Sequence, residues 1–272
     1  MSSPFVFRTA SATHVGKVRE VNEDSLIARP EIGLWAVADG MGGHGGGDLA
    51  SGAVVTALGT IDEPESAAQF LAQFEDRIIR VNADLRALAK ARATQIVGTT
   101  VVAVLIHGAH YACVWCGDSR AYRLRAGSLT QISRDHSEVQ DLIDRGVLEP
   151  HEARSWPRRN VITRALGVAN QAALEIGDGP VMAGDRFLLC SDGLTNHVAD
   201  SEIAALLDAD DPQKACARLI TLTLQRGASD NVSIIIVACE YDTRTIRADP
   251  SWRTDATASL VPDRGIGSPP EV

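Results

Sequence analysis

At 272 residues, with 45% apolar and 22% charged side chains, the chain is long enough for one large core and has the composition of an ordinary globular protein. Its 26 basic against 35 acidic residues leave a net charge of −9 and no dense basic patch, which argues against nucleic acid as a main partner. No stretch nears the roughly 18 consecutive apolar residues of a membrane span, and "MSSPFVFRTASATHVG" has neither a basic leader nor a long apolar core, so the expected location is the cytoplasm, away from the membrane.

In chain order, the first clear element is the apolar run "GLWAVA", a predicted strand, and "VADGMGGHGGG" follows it directly. Two readings of that glycine loop compete. Gly40, Gly42 and Gly45 match G-x-G-x-x-G between a strand and the predicted helix "DLASGAVVTALG", the setting of a dinucleotide fingerprint. Alternatively Asp39 is a hard oxygen ligand at a strand end, and the glycines let backbone carbonyls turn toward a cation. Next, Phe70, Phe74, Ile78, Val81, Leu85 and Leu88 recur at helical spacing and predict a helix of about 25 residues with one core-facing stripe.

"TTVVAVLIHG", "HYACVWCG", "RAYRLRAG" and "SLTQIS" then read as successive strands, followed by a charged excursion over residues 133–167 that Pro150 and Pro157 interrupt. "RFLLCS" and "NVSIIIVAC" are later strands, and "DPQKACARLITLTLQRG" between them is a helix opened by Pro212 and closed by Gly227. From Tyr241 onward periodicity is lost and a disordered tail, 241–272, is expected behind a domain of residues 1–240. A strand-rich middle between helices is not the regular alternation of a doubly wound sheet, so the expectation is an antiparallel α+β architecture of two packed sheets flanked by helices. That weakens the dinucleotide reading, for which no second parallel strand precedes the acidic residue in "TALGTIDEPES".

The five cysteines, Cys113, Cys116, Cys190, Cys216 and Cys239, sit mostly in apolar runs and read as buried free thiols. Cys113 and Cys116 have zinc-like spacing, but residues three apart on a strand face opposite ways and no second pair exists. The acids are more informative. Asp39, Asp118 and Asp192 each follow a predicted strand, and Asp230 immediately precedes one. A single aspartate at a strand end is usually a turn former. Four in similar surroundings could meet at one rim, where they would repel unless a divalent cation neutralised them, and an all-oxygen site suits Mg²⁺ or Mn²⁺ better than zinc. Near the start, Arg19 in "GKVREVNEDS" precedes Glu23 and Asp24 and offers a planar fork to phosphate oxygens.

Taken together, "GKVREVNEDS", "WAVADGMGGHGGGDLAS", "GTTVVAVLI", "CGDSRAYRLR", "LTQISRDHS", "VITRALG", "DRFLLCSDGLT" and "SDNVSIIIV" resemble, in family order, the metal-dependent type 2C serine/threonine protein phosphatases, in particular their compact bacterial members. The resemblance covers roughly residues 8 to 240 and implies a four-layer αββα sandwich. It also implies that Asp39 bridges two Mn²⁺ or Mg²⁺ ions, with the Gly40 carbonyl on one and Asp192 and Asp230 completing the other. Asp118 would help hold a third, weaker ion. Arg19 would bind the substrate phosphate, and Glu23, Asp24 and Asn231 would lie just outside the direct ligands. A water bridging ions about 3.5–4 Å apart would then attack phosphorus in line as hydroxide, with no covalent phosphoenzyme.

Met41 stands where many eukaryotic members carry a histidine, so the general acid is open: His44 is the candidate, with a loop-packing role as its alternative, and His136 in "RDHS" is expected to stabilise a turn. Residues 133–167 match the flap beside the active site. The implied partners are phosphoproteins, with a serine/threonine kinase opposing a monomeric enzyme. The wording of "THVGKVREVNEDSLIARPEIGLWAVADGMGGH" adds a likeness to phosphatases of type VI secretion regulation. A catalytically silent phosphoprotein-binding module of the same fold is the alternative, disfavoured because every matched metal position is intact.

Overall fold

A computed structural model describes residues 3–43, 45–92 and 96–242. The chain opens with β1 (Phe5–His14), β2 (Asp24–Arg29) and β3 (Leu34–Gly42), followed by helices α1 (Gly47–Leu58) and α2 (Ala67–Ala91). Next come β4 (Val97–Thr99), β5 (Val101–His107), β6 (His110–Cys116), β7 (Arg120–Arg125) and β8 (Ser128–Gln131). The excursion then carries α3 (Glu138–Asp144) and a 3-10 turn over Pro150–Ser155. β9 (Glu175–Pro180), β10 (Arg186–Cys190), α4 (Asp192–Thr195), α5 (Asp200–Ala209), α6 (Pro212–Gln225) and β11 (Val232–Tyr241) complete it. Tyr241 belongs to β11, one residue beyond the expected boundary, and the expected tail from residue 243 on lies outside the described residues.

The strands pair antiparallel in two sheets, ordered β1-β11-β10-β7-β8 and β2-β3-β5-β6-β9, with β4 added on β3. Strand parity explains how they stack. On β3, Trp35 and Val37 enter the core between the sheets, while Leu34, Ala36 and Ala38 pack outward beneath α1 and α2. β10 behaves likewise: Phe187 and Leu189 face the other sheet, and Leu188 and Cys190 face α5 and α6. The result is the expected αββα sandwich, its central strands apolar on both faces. β1, β2 and β9 gave no clear sequence signal because they are sheet edges; β9, for example, buries no residue fully.

The helices start and stop for local reasons. Ser66 accepts the Gln69 amide at the start of α2, whose Phe70, Phe74, Ile78, Val81 and Leu85 fill the outer core as their spacing required, with Leu88 at its margin. Asp211 caps α6 by accepting the Gln213 and Lys214 amides, with Pro212 in the first turn. All five cysteines are buried and unpaired, Cys113 and Cys116 on opposite faces of the same sheet. Among the described residues no helix is long and apolar enough to cross a membrane.

Candidate active site

At one end of the sandwich the core-facing positions change from apolar to polar while keeping their parity. Continuing Trp35 and Val37 by two residues reaches Asp39, and preceding Val102 by two reaches Thr100. The same step leads from Leu26 to Asp24, from Leu189 to Ser191, from Ala121 to Ser119, and from Ile235 through Ser233 to Asn231. Hydrogen bonds knit these groups into a floor. Thr100 Oγ1 accepts the Asp39 amide at 3.0 Å and lies 2.7 Å from Ser119 Oγ. Ser191 Oγ donates to Asp24 Oδ2 at 2.8 Å and accepts the Ser233 amide at 3.0 Å.

Above this floor a cleft of about 350 Å³ is lined by Arg19, Glu23, Asp39, Gly40, Asp118, Asp192, Asp230 and Asn231, with Met41, Gly42, Thr100, Asn160 and Ile162. A larger hollow of about 420 Å³ lies around Pro30–Gly33 and His107–Gly108, but its polar lining is limited to Ser3, Glu31, Glu63 and His107. The chemistry therefore points to the smaller one.

The glycine loop reaches the cleft because side chains are missing. A Cβ on Gly40 would stand 2.0 Å from the Gly47 carbonyl oxygen, so only glycine allows the chain leaving Asp39 to pass the start of α1. The same approach lets Glu23 receive the Gly47 amide at the helix N-terminus, where the dipole favours a carboxylate. Arg19 sits at the mouth, its side chain 52% exposed, and donates through Nη2 to Asp230 Oδ2 at 2.8 Å. Asn231 fastens the loop that carries it: Nδ2 donates to the Val15 and Val21 carbonyls at 2.9 and 3.0 Å, and Oδ1 accepts the Glu23 amide at 2.8 Å.

Charge is the site's unsolved problem. Five carboxylates and one arginine line the cleft. Burial raises Asp39 well above its ordinary value, and Asp24, Asp192, Asp118 and Asp230 push it further. Burial, then Asp192, lifts Asp118 to about 8. Asp192 rises to about 6 through burial and Asp230, and burial moves Asp24 to about 7. Asp24 Oδ1 is buried without a hydrogen-bond partner. Divalent cations fit this arrangement, because they would return these acids to their charged form. Among the described residues no three His, Cys, Asp or Glu side chains stand close enough to enclose an ion alone, so carbonyls and water would complete its shell, as is usual for Mg²⁺.

The sequence expectations meet the structure unevenly. Arg19, Glu23, Asp39, Gly40, Asp118, Asp192, Asp230 and Asn231 share the cleft. Asp24 lies beneath it, opposite Asp39 across the β2–β3 pair. His136 is buried against Gly117 and is not among the lining residues. His44 lies outside the described residues. Thr100, Ser119 and Ser191 were missed, as were Asn160 and Ile162; parity would have flagged the three hydroxyls, whereas no local pattern marks the flap residues.

A family model described as Protein phosphatase 2C matches residues 13–226. The serine/threonine protein phosphatase PstP of Mycobacterium tuberculosis is 39% identical over 239 residues, which is 87% of this chain but 46% of PstP. The chain thus spans about half the length of that curated relative. Among solved structures, PppA, described as a key regulatory component of T6SS in Pseudomonas aeruginosa, is 43% identical with a TM-score of 0.80, covering 86% of this chain and 97% of that one. The PstP catalytic domain in complex with two manganese ions is 37% identical with a TM-score of 0.79, covering 87% and 99%.

Proposed function

The chain belongs to the protein phosphatase 2C family, and on that premise we propose that it is a metal-dependent serine/threonine protein phosphatase acting on phosphoserine and phosphothreonine in proteins. The convergence of five carboxylates and one arginine on a single cleft carries this reading. Asp39, the Gly40 carbonyl, Asp192 and Asp230 would hold two Mn²⁺ or Mg²⁺ ions, and Asp118 would serve a third. When bound, the ions supply Lewis acidity, making water more acidic and offsetting charge on phosphoryl oxygens.

The chain's own groups do the rest. Arg19 uses one terminal nitrogen on Asp230 and turns the remainder of its planar fork to the phosphate. Asn231 holds the Arg19 loop at a fixed height over the floor, and Thr100 fixes the peptide of Asp39. His44 keeps its place as candidate donor to the departing alkoxide. Residues 1–240 form the catalytic domain in this reading, in a monomeric cytoplasmic enzyme opposed by a serine/threonine kinase. The likeness to PppA makes phosphoproteins of type VI secretion regulation candidate substrates.

The test is phosphate release from a phosphothreonine peptide by metal-stripped protein, with and without Mn²⁺ or Mg²⁺, beside Asp39→Asn and Asp192→Asn. Metal-dependent turnover that both variants lose is the expected result. Folded wild-type protein that stays silent with either metal would favour the phosphoprotein-binding module.

A further inference from the structure

His136 is occupied by the turn that carries Asp118. Its backbone N–H donates to the Gly117 carbonyl at 2.9 Å, and the Gly117 N–H donates back to its Nδ1 at 3.0 Å. Gly117 has φ +115°, and a Cβ there would lie 2.6 Å from Thr100 Cβ, so only glycine can follow this course through the β6–β7 turn. The ring is 5% exposed and stacks on Trp115 at 6.3 Å between centroids. Because Nδ1 accepts, the neutral ring carries its proton on Nε2, which faces Glu175 Oε1 at 3.3 Å; Arg164 holds the same oxygen at 2.6 Å.

The other side of His136 belongs to the flap. Its carbonyl accepts the Thr163 amide at 2.7 Å, and Ser137 pairs with Ile162, whose side chain lines the cleft. We propose that His136 is a positioning residue that sets the direction of Asp118 by clamping the preceding peptide to the flap stem, an inference that rests on Asp118 serving the cation site proposed above. Groups behind a metal ligand that fix its orientation typically change affinity by about 10–100-fold when removed.

The closing experiment compares His136→Asn, His136→Gln and His136→Leu in full-length protein. Asparagine returns an acceptor near the place of Nδ1, and glutamine puts its acceptor near that of Nε2. Mn²⁺ binding to metal-stripped protein is followed by calorimetry, and exchange of the Gly117 amide by hydrogen–deuterium exchange. The leucine and glutamine variants should bind Mn²⁺ at the weakest site about tenfold less tightly and exchange the Gly117 amide faster, with asparagine near wild type. Adding His136→Leu to Asp118→Asn should weaken binding no further than Asp118→Asn alone. Equal behaviour of asparagine and glutamine, or losses that multiply in the double variant, would overturn the proposal. Neither readout needs turnover, so failure of the phosphatase reading would be visible separately; if leucine fails to fold, the asparagine–glutamine pair decides.

Discussion

β10 has an aspartate immediately before it and another just after it, and they are held in opposite ways. Asp185 is 1% exposed and is met on both oxygens by Arg125, at 2.7 and 2.6 Å, while the Met182 amide donates to it at 2.8 Å. Asp192 lies at the cleft end, where the exposed Asn196 amide donates to it at 3.0 Å and Asp230 repels it. The protein can neutralise a buried carboxylate and does so where the role is structural. At the cleft it withholds that neutralisation from several acids at once, which is the signature of a charge supplied from outside.

Substitution should split the two ends by sign. Asp39→Asn and Asp192→Asn should lower phosphopeptide turnover by about 10³-fold or more, since ion binding contributes several kcal/mol to such reactions. Yet metal-stripped Asp39→Asn should melt a few degrees above metal-stripped wild type, because it removes a repelled acid. Asp185→Ala should do the reverse. It leaves Arg125 with the Pro180 carbonyl and the Met182 amide without its acceptor, and should cost about 1–3 kcal/mol in denaturant unfolding, with turnover per folded molecule little changed. Loss of stability in both would erase the distinction.

The same contrast predicts a pH dependence. Asp192, Asp24 and Asp118 hold protons to about 6, 7 and 8 in the folded cleft, against an ordinary 3.8. The folded state therefore binds protons more tightly than the unfolded one, and their contribution is complete below about pH 4 and is lost as pH rises toward 8. Metal-stripped protein should accordingly melt lower at pH 8 than at pH 5.5. Mn²⁺ held at one concentration, about 100 times its dissociation constant at pH 5.5, should return about 2.7 kcal/mol there, a rise of roughly 5–10 °C, and more at pH 8, where the deprotonated acids bind the ion more tightly. A calorimetric scan in which Mn²⁺ gives the same rise at both values would break the argument.

How much of this could be read beforehand follows the same division. The aspartates beside Gly in "ADG", "GDS" and "SDG" were visible because each interrupts an apolar run, and the α2 stripe because its period is helical. The edges β1, β2 and β9 were not, since half-buried strands mix their residue types. The hydroxyl floor was legible in principle: Thr100, Ser191 and Ser233 continue the inward parity of Val102, Leu189 and Ile235, but a serine or threonine at a strand end attracts no notice alone. Asn160 and Ile162 were beyond reach, because the flap stem that brings them to the cleft is built from pairings between residues far apart in the chain, Thr99 with Leu166 and Gly117 with His136. Asn231 was placed beside the metals on family likeness, and its three bonds show what keeps it there, a tether for the Arg19 loop.

The smallest expected effect tests the comparison most closely. Asn196 donates a side-chain hydrogen bond to Asp192, and the bond is exposed. If Asp192 depended on protein donors as Asp185 does, Asn196→Ala would unmask a buried charge and cost several kcal/mol. If it awaits a cation, the bond only steers a carboxylate whose charge is met elsewhere, and the loss should stay below about 1 kcal/mol by denaturant unfolding. Mn²⁺ should then conceal even that difference, since an ion on Asp192 contributes far more than one solvated amide. A Mn²⁺-saturated Asn196→Ala protein that still unfolds well before wild type would mean that Asp192 is a structural acid after all, and that the ions are held by the remaining carboxylates.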